Sequence, residues 1–263
     1  MKNILVTGAY GGMGRANVQK LKAQGFRVFA LDKHVGEAEE NVVPIAADVT
    51  DEESVRRAAE TVQAQAGELF AVIHFAGVYM LDSLVEIPSS EFEKIFEINV
   101  FGAFYVNKAF LPLLGSGSRI IMTTSELAPL DPLPFTGLYA VTKAALDKYA
   151  YSLCMELQLL GISVSVIRAG AVSTGMLGSS TSALDAFCSN TALYTCNAER
   201  FKRIVDGVEA KSVPPEKTAS KTLKILQKRR PAFAYALNRN PLLRLLNVLP
   251  KRLQLFAIRQ VLK

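Results

Sequence analysis

Apolar and polar positions along the 263 residues follow two periods. Short apolar runs of the kind that make strands buried on both faces fall at residues 4–6, 27–31, 42–46, 70–75, 119–122, 163–167 and 231–235. Longer segments with apolar residues three and four apart predict helices at 15–24, 52–65, 92–114, 138–160 and 215–228. Strands alternating with helices of this length need right-handed crossovers, so the pattern predicts an α/β fold, a parallel sheet with helices on both faces. The stretch 175–200 is rich in Ser, Thr and small residues, has no clear period, and reads as a mobile loop or lid. Segments 241–249 and 251–263 mix apolar and cationic residues and read as amphipathic helices split at Pro250. The expected division is one domain over 1–238 followed by a basic helical tail over 239–263.

Charge sharpens that boundary. Residues 211–263 carry 13 Lys/Arg against one acid, Glu216, whereas the preceding 210 residues carry 17 basic and 23 acidic side chains. A basic amphipathic helix suits an anionic membrane surface. The alternative is that its apolar face packs on its own domain or on a partner subunit and leaves the cations in solvent. Nucleic acid is not an expected partner, because the tail has no recognisable module and few aromatics for stacking. With 50% apolar residues the chain has material for a core and is not disordered. Cys154, Cys188 and Cys196 are odd in number and widely spaced, which predicts reduced thiols. Neither His34 nor His74 has a partner at ligand spacing, so both read as structural and no metal is expected. The first strand starts at once, leaving no room for a signal peptide, and no apolar run approaches the ~18–20 residues that span a bilayer. The expected location is cytoplasmic, with peripheral membrane contact through 239–263.

Candidate chemistry begins at the first strand's end, in Thr7-Gly8-Ala9-Tyr10-Gly11-Gly12-Met13-Gly14. Gly8 suits a sharp turn, Gly12 a close backbone approach to a pyrophosphate, and Gly14 tight helix–strand packing. The following helix offers unpaired N–H groups and a positive dipole end. Asp32 ends the second strand, where an acid bonds ribose hydroxyls and repels a 2′-phosphate, which favours NAD; Lys33 beside it is a cation that would accommodate NADP. Asp48 and Val49 follow the third strand, and Asp48 reads either as an adenine contact or as a helix N-cap. Tyr139 and Lys143, at i and i+4, share a helix face. An ammonium there would lower the phenol's pKa and fit it for proton exchange with an alcohol or carbonyl.

In order and spacing, Thr7–Gly14, Asn99 in Ile98-Asn99-Val100-Phe101-Gly102, Ser125 in Thr123-Thr124-Ser125, Tyr139 with Lys143, and Thr174 resemble the short-chain dehydrogenase/reductase family, of the retinol and hydroxysteroid type, over roughly residues 1–236. The resemblance implies a single Rossmann-type doubly wound sheet plus the tail, and a catalytic set of Asn99, Ser125, Tyr139 and Lys143. It makes Tyr139 the acid/base, Ser125 the group polarising the substrate oxygen, Lys143 the holder of the nicotinamide ribose, and Asn99 the anchor of a relay water. It implies a cofactor site of Gly8, Gly12, Met13, Gly14, Asp32, Asp48, Val49, Ala76, Gly77, Tyr139, Lys143, Gly170, Val172 and Thr174, binding NAD or NADP. The chain departs from the family where Phe75-Ala76-Gly77 replaces Asn-Ala-Gly and Ala169-Gly170 replaces Pro-Gly, the latter expected to loosen the loop over the nicotinamide. Counting back from Tyr139, Glu126 is thirteen residues away and Ser125 fourteen. Ser125 is the assignment, because an ionised carboxylate has no hydrogen to donate.

The expected activity is hydride transfer between nicotinamide and a hydroxyl or carbonyl of a lipophilic small molecule such as a retinoid, steroid or long-chain alcohol. Leu127, Leu130, Leu133, Phe135, Met176 and Leu177 are candidate pocket residues. Long apolar helices at 92–114 and 138–160 suit a homodimer or homotetramer. The rival readings are a dinucleotide sensor on the same fold and a membrane-surface scaffold.

Overall fold

Seven strands build one sheet in the computed structural model, which describes the backbone of residues 1–263 and all side chains except those of 176–180 and 209. They are β1 (Asn3–Thr7), β2 (Arg27–Asp32), β3 (Val42–Ala46), β4 (Leu69–His74), β5 (Leu114–Ser125), β6 (Ser163–Ala169) and β7 (Ala234–Leu237). Every pairing is parallel and the order is β3-β2-β1-β4-β5-β6-β7. The chain reverses its direction of winding between β1 and β4, and ligands of such sheets bind at the carboxyl ends of the strands beside that reversal. Thr7, His74, Met122 and Ser125 mark this edge.

Strand pleating sends alternate side chains to opposite faces. Ile4 and Val6 face one side, where α1 (Gly12–Lys22) and α8 (Glu216–Gln227) bring Val18, Leu21, Ile225 and Leu226. Leu5 and Phe29 face the other, covered by α2 (Glu52–Ala66) and α4 (Gly102–Phe110) through Val55, Val62, Val106 and Phe110. On that side too, α5 (Gly137–Leu157) lays Leu146 and Ala150 on Ile120, Met122 and Val164. Each of these side chains is buried, and full burial of one stabilises by roughly 1.5–3 kcal/mol.

Three expectations give way. The segment 175–200 is not a loop but helical, as α6 (Gly175–Asn190) and α7 (Thr195–Glu209). Its stripe is short but real: Leu184, Phe187 and Cys188 on α6 meet Ala198, Phe201 and Val205 on α7. The helix expected over 92–114 is broken into α3 (Ser89–Phe96), a π turn at Glu97–Phe101, α4, and a 3₁₀ turn at Leu111–Leu113. Its remaining residue, Leu114, already belongs to β5. The last strand starts later than expected, because Pro231 has no N–H for the ladder. Finally, α9 (Pro241–Val248) and α10 (Lys251–Leu262) meet at Pro250 and lie against the domain. The Asn247 side chain accepts the Asp131 N–H at 2.6 Å, Lys251 pairs with Asp131, and Asn197 donates to the Leu262 carbonyl at 2.6 Å.

Candidate active site

The glycine turn is dictated by contact with the backbone around it. Gly8 has φ +63°, and a Cβ there would stand 2.5 Å from the Ala76 nitrogen. A Cβ on Gly14 would stand 1.9 Å from the Gly8 carbonyl oxygen. The place of a Cβ on Gly12 is taken by the Thr174 side chain, 2.6 Å away. Gly12 therefore admits Thr174 to the turn, and Met13 faces the adjoining cavity. The residues fit a dinucleotide: a cradle without side chains, open at a helix N-terminus, with an acid beyond it.

That acid is Asp32, whose two oxygens accept the Tyr10 N–H at 3.0 Å and its neighbour's N–H, from Lys33, at 2.8 Å. Lys33 turns to Asp48, 2.7 Å away, and this bond holds the Asp48 carboxyl down at about 2. Asp48 also takes the Thr50 N–H and hydroxyl. It is not the N-cap of α2; Asp51 is, accepting the Glu53 N–H. Val49 packs where a side chain on Gly102 would stand.

At the other end of the sheet edge, Tyr139 on the first turns of α5 faces the same cavity as Ser125 at the end of β5. Tyr79 meets the phenol ring edge-on, with centroids 4.6 Å apart. The Lys143 ammonium lies 5.7 Å from the same ring centroid and donates to the Thr123 carbonyl at 3.4 Å. Asn99 sits in the π turn, an element that turns up at functional sites. Its amide accepts the Val78 N–H at 2.8 Å and donates to the Val78 carbonyl and the Thr142 hydroxyl. Gly77 leaves space where Asn99 and Lys143 converge: a Cβ on it would lie 3.0 Å from Asn99 Oδ1 and 3.3 Å from Lys143 Nζ. The structure thus brings Asn99, Ser125, Tyr139 and Lys143 to one place.

The electrostatics reverse one expectation. Burial pushes the Tyr139 phenol up to about 12, opposed by the Ser125 hydrogen bond, and pushes Lys143 down to about 8. Desolvation disfavours the charged form of each group. The expected lowering of the phenol by the neighbouring ammonium is therefore absent from the protein alone.

Glu126 lines the same cavity but is engaged elsewhere. Its carboxylate accepts the Asn240 N–H at 2.6 Å, and burial raises its pKa. The loop after β6 is not loosened by Ala169. Gly170 donates to the Leu237 carbonyl at 2.9 Å and has no room for a Cβ, which would fall 2.0 Å from the Asn238 carbonyl oxygen. The side chain of Asn238 ties down the Ala171 carbonyl, and Val172 bridges Val213. Phe75 fills the place of the family's Asn with buried carbon, while Ala76 N–H reaches the Thr7 hydroxyl at 3.4 Å.

A cavity of about 470 Å³ runs from Met13 and Thr174 past Ser125 and Tyr139 to an apolar end. Leu127 and Leu133 line it, Leu130 does not, and Phe135 packs instead among Phe187, Tyr194 and Phe201. Met176 and Leu177 lie outside the described side chains. The sequence reading missed the rest of the lining, which comes from α7, α9 and α10 and includes Phe201, Val205, Leu243, Leu246 and Ile258. It also missed Asp147, buried on α5, which takes two bonds from Arg168 of β6 at 3.0 and 2.7 Å and one from Thr124 of β5. The signal was present: a carboxylate four residues beyond Lys143 on an otherwise apolar helix face. His74 is structural, bonded to Asn107 at 2.9 Å and held by burial at about 4.

Among known families, the profile described as short chain dehydrogenase matches residues 2–185. Estradiol 17-beta-dehydrogenase 2 of Mus musculus is 37% identical over 190 residues, 68% of this chain and 50% of that protein. The chain thus spans about half the length of that relative. The 3-ketodihydrosphingosine reductase of Bacteroides thetaiotaomicron is 26% identical over 231 residues, 88% of this chain and 85% of that one. An alcohol dehydrogenase from Thermococcus sibiricus, solved with 5-hydroxy-NADP, shares the fold with a TM-score of 0.75 at 22% identity, over 92% of this chain and 99% of that one.

Proposed function

This chain belongs to the short chain dehydrogenase family, NAD(P)-binding oxidoreductases of CH–OH groups, and on that premise we propose that it interconverts a hydroxyl and a carbonyl on a lipophilic small molecule. The observation that carries this reading is that Ser125, Tyr139 and Lys143 line one cavity whose remaining walls are largely apolar. When bound, the dinucleotide supplies the hydride acceptor or donor. Gly8, Gly12, Gly14 and Thr174 would hold its phosphates, and Asp32 its ribose. Ser125 donates a hydrogen bond to the substrate oxygen, and Tyr139 takes or returns that oxygen's proton. Lys143 holds ribose hydroxyls and, once charged, favours the phenolate. Asn99 keeps the loop after β4 in place at Val78 and continues the proton path. A phenol at about 12 needs added positive charge nearby to ionise near neutral pH, which a bound oxidised nicotinamide would supply.

NAD is the preferred cofactor in this reading. Asp32 would meet the ribose at the end of β2, and the Lys33 cation that would welcome a 2′-phosphate is already paired with Asp48. The relatives named for estradiol and 3-ketodihydrosphingosine both point to lipophilic substrates, as does the cavity. Such molecules reside in bilayers, which supports peripheral membrane contact through 239–263. The exposed Phe101, Phe104, Tyr151 and Met155 on and beside α4 and α5 support a homodimer or homotetramer.

The test is Tyr139→Phe, assayed by nicotinamide absorbance with NAD and NADP against steroid, retinoid and long-chain substrates. We expect cofactor affinity to hold while kcat falls by about 10²–10⁴. Unchanged kcat would end the assignment of Tyr139, and cofactor binding without turnover of any substrate by the unmodified protein would favour the sensor.

A further inference from the structure

After α9 and α10 have docked, their outer face remains apolar. Leu242, Leu245, Val248, Leu253, Leu255, Phe256 and Val261 are all more than half exposed, up to 82% at Val248. The docking itself is complete. Leu243 and Leu246 turn inward, Gln254 and Leu262 are buried, and the hydrogen bonds of Asn240, Asn247 and Asn197 fasten the segment along its length. The outward residues are therefore a surplus that this chain does not cover. Clustered apolar surface of this kind marks an interaction site.

The charge around it selects the partner. Residues 239–263 hold six cations, Arg239, Arg244, Lys251, Arg252, Arg259 and Lys263, and no acid. A second copy docked face to face would set like charge on like. A surface that is apolar beneath an anionic layer satisfies both the leucines and the arginines.

The cavity supplies the third observation. Leu242 and Val261 line it and are 70% and 58% exposed. They stand on α9 and α10 respectively, so the cavity reaches the surface beside these two helices, next to the apolar and cationic face.

We propose that the outer face of α9 and α10 docks on an anionic lipid surface with the cavity mouth turned into it, so that a lipophilic substrate passes from the bilayer to Tyr139 without entering water. The route rests on the oxidoreductase reading; the docking does not. The experiment is co-sedimentation of the full chain with phosphatidylcholine vesicles and with vesicles that also contain phosphatidylserine, for the unmodified protein and for Leu245→Glu/Val248→Glu. Both of these residues point outward and neither lines the cavity. The unmodified chain should bind the anionic vesicles, less so at high salt, and the double variant should bind about tenfold or more weakly. Thermal melting should show the variant as stable as the parent. With a long-chain ketone dissolved in the vesicles the variant should turn over more slowly, and with a short water-soluble ketone at the same rate. A parent that stays in the supernatant, or a variant that binds equally well, overturns the docking. So does a parent whose mass in solution drops when the glutamates are introduced, since the face would then join copies of this chain. Equal turnover of the vesicle substrate overturns the route, and binding without turnover of either ketone overturns the oxidoreductase reading while the docking stands.

Discussion

The two ends of the cavity are built on different principles. At the glycine end, backbone meets backbone: Gly8 against Ala76, Gly14 against Gly8, each with no room for one carbon more. At the apolar end the walls are side chains from α7, α9 and α10, brought from the part of the chain that follows β6. A backbone fit admits one residue type, so it leaves a mark in sequence. A side-chain wall admits any apolar residue of suitable volume and leaves none. The first end is suited to an invariant ligand, the second to a ligand that differs between relatives.

The comparison breaks most easily at the polar seam beneath the second end. Asp147→Ala would strand Arg168 and Thr124, and removing one partner of a buried pair costs about 3–5 kcal/mol. We expect a loss of that order in urea unfolding, with turnover falling because α5 carries Tyr139. A loss under 1 kcal/mol would mean that packing alone holds this half.

Lys143 gives the next effect, of opposite sign. Its folded pKa of about 8 lies below the ordinary Lys value of 10.5, so the unfolded chain binds more protons between these values and stability rises with pH across that window. Below pH 8 the penalty is complete, on the order of 3 kcal/mol. Lys143→Met should therefore be inactive but more stable at pH 7, by an amount that shrinks to nothing toward pH 10.5. A constant gap in melts across that range would contradict the burial account. Gly14→Ala tests the first end directly, with an expected cost of about 1–3 kcal/mol and loss of dinucleotide binding by calorimetry. Its counterpart, Leu246→Ala, should cost only about 1 kcal/mol because the residue is partly exposed, and should raise KM for a long-chain substrate a few-fold with kcat and cofactor affinity unchanged. If Leu246→Ala weakened cofactor binding as Gly14→Ala does, the division into two ends would fail.

Legibility in the sequence follows the same line. The turn at Thr7–Gly14, Asp32 at a strand end, and the Tyr139–Lys143 spacing could be read because geometry fixes those residue types. Ser125 needed an argument about hydrogen donation, since the interval to Tyr139 alone pointed at Glu126. The sheet was visible as seven apolar runs, with β5 and β7 displaced at their starts. The π turn was invisible because one extra residue within 92–114 does not erase a helical period averaged over the segment. Helices α6 and α7 were hidden by Ser and Thr around a three-residue stripe that only mutual packing makes sufficient. No pattern could reveal that α9 and α10 roof the cavity, because amphipathicity states that a face is covered and not by what.

The π turn at Glu97–Phe101 carries a consequence for insertion and deletion. An α-helix advances about 100° per residue. Deleting any one residue of this turn would restore α geometry and rotate everything on one side of the cut by that angle relative to the other. Either Asn99 would swing away from Val78 and Thr142, or α4 would turn Phe104 inward and Val106 and Phe110 outward. Length in these five residues is therefore as constrained as identity, and among homologous chains this segment should show substitutions but no gaps.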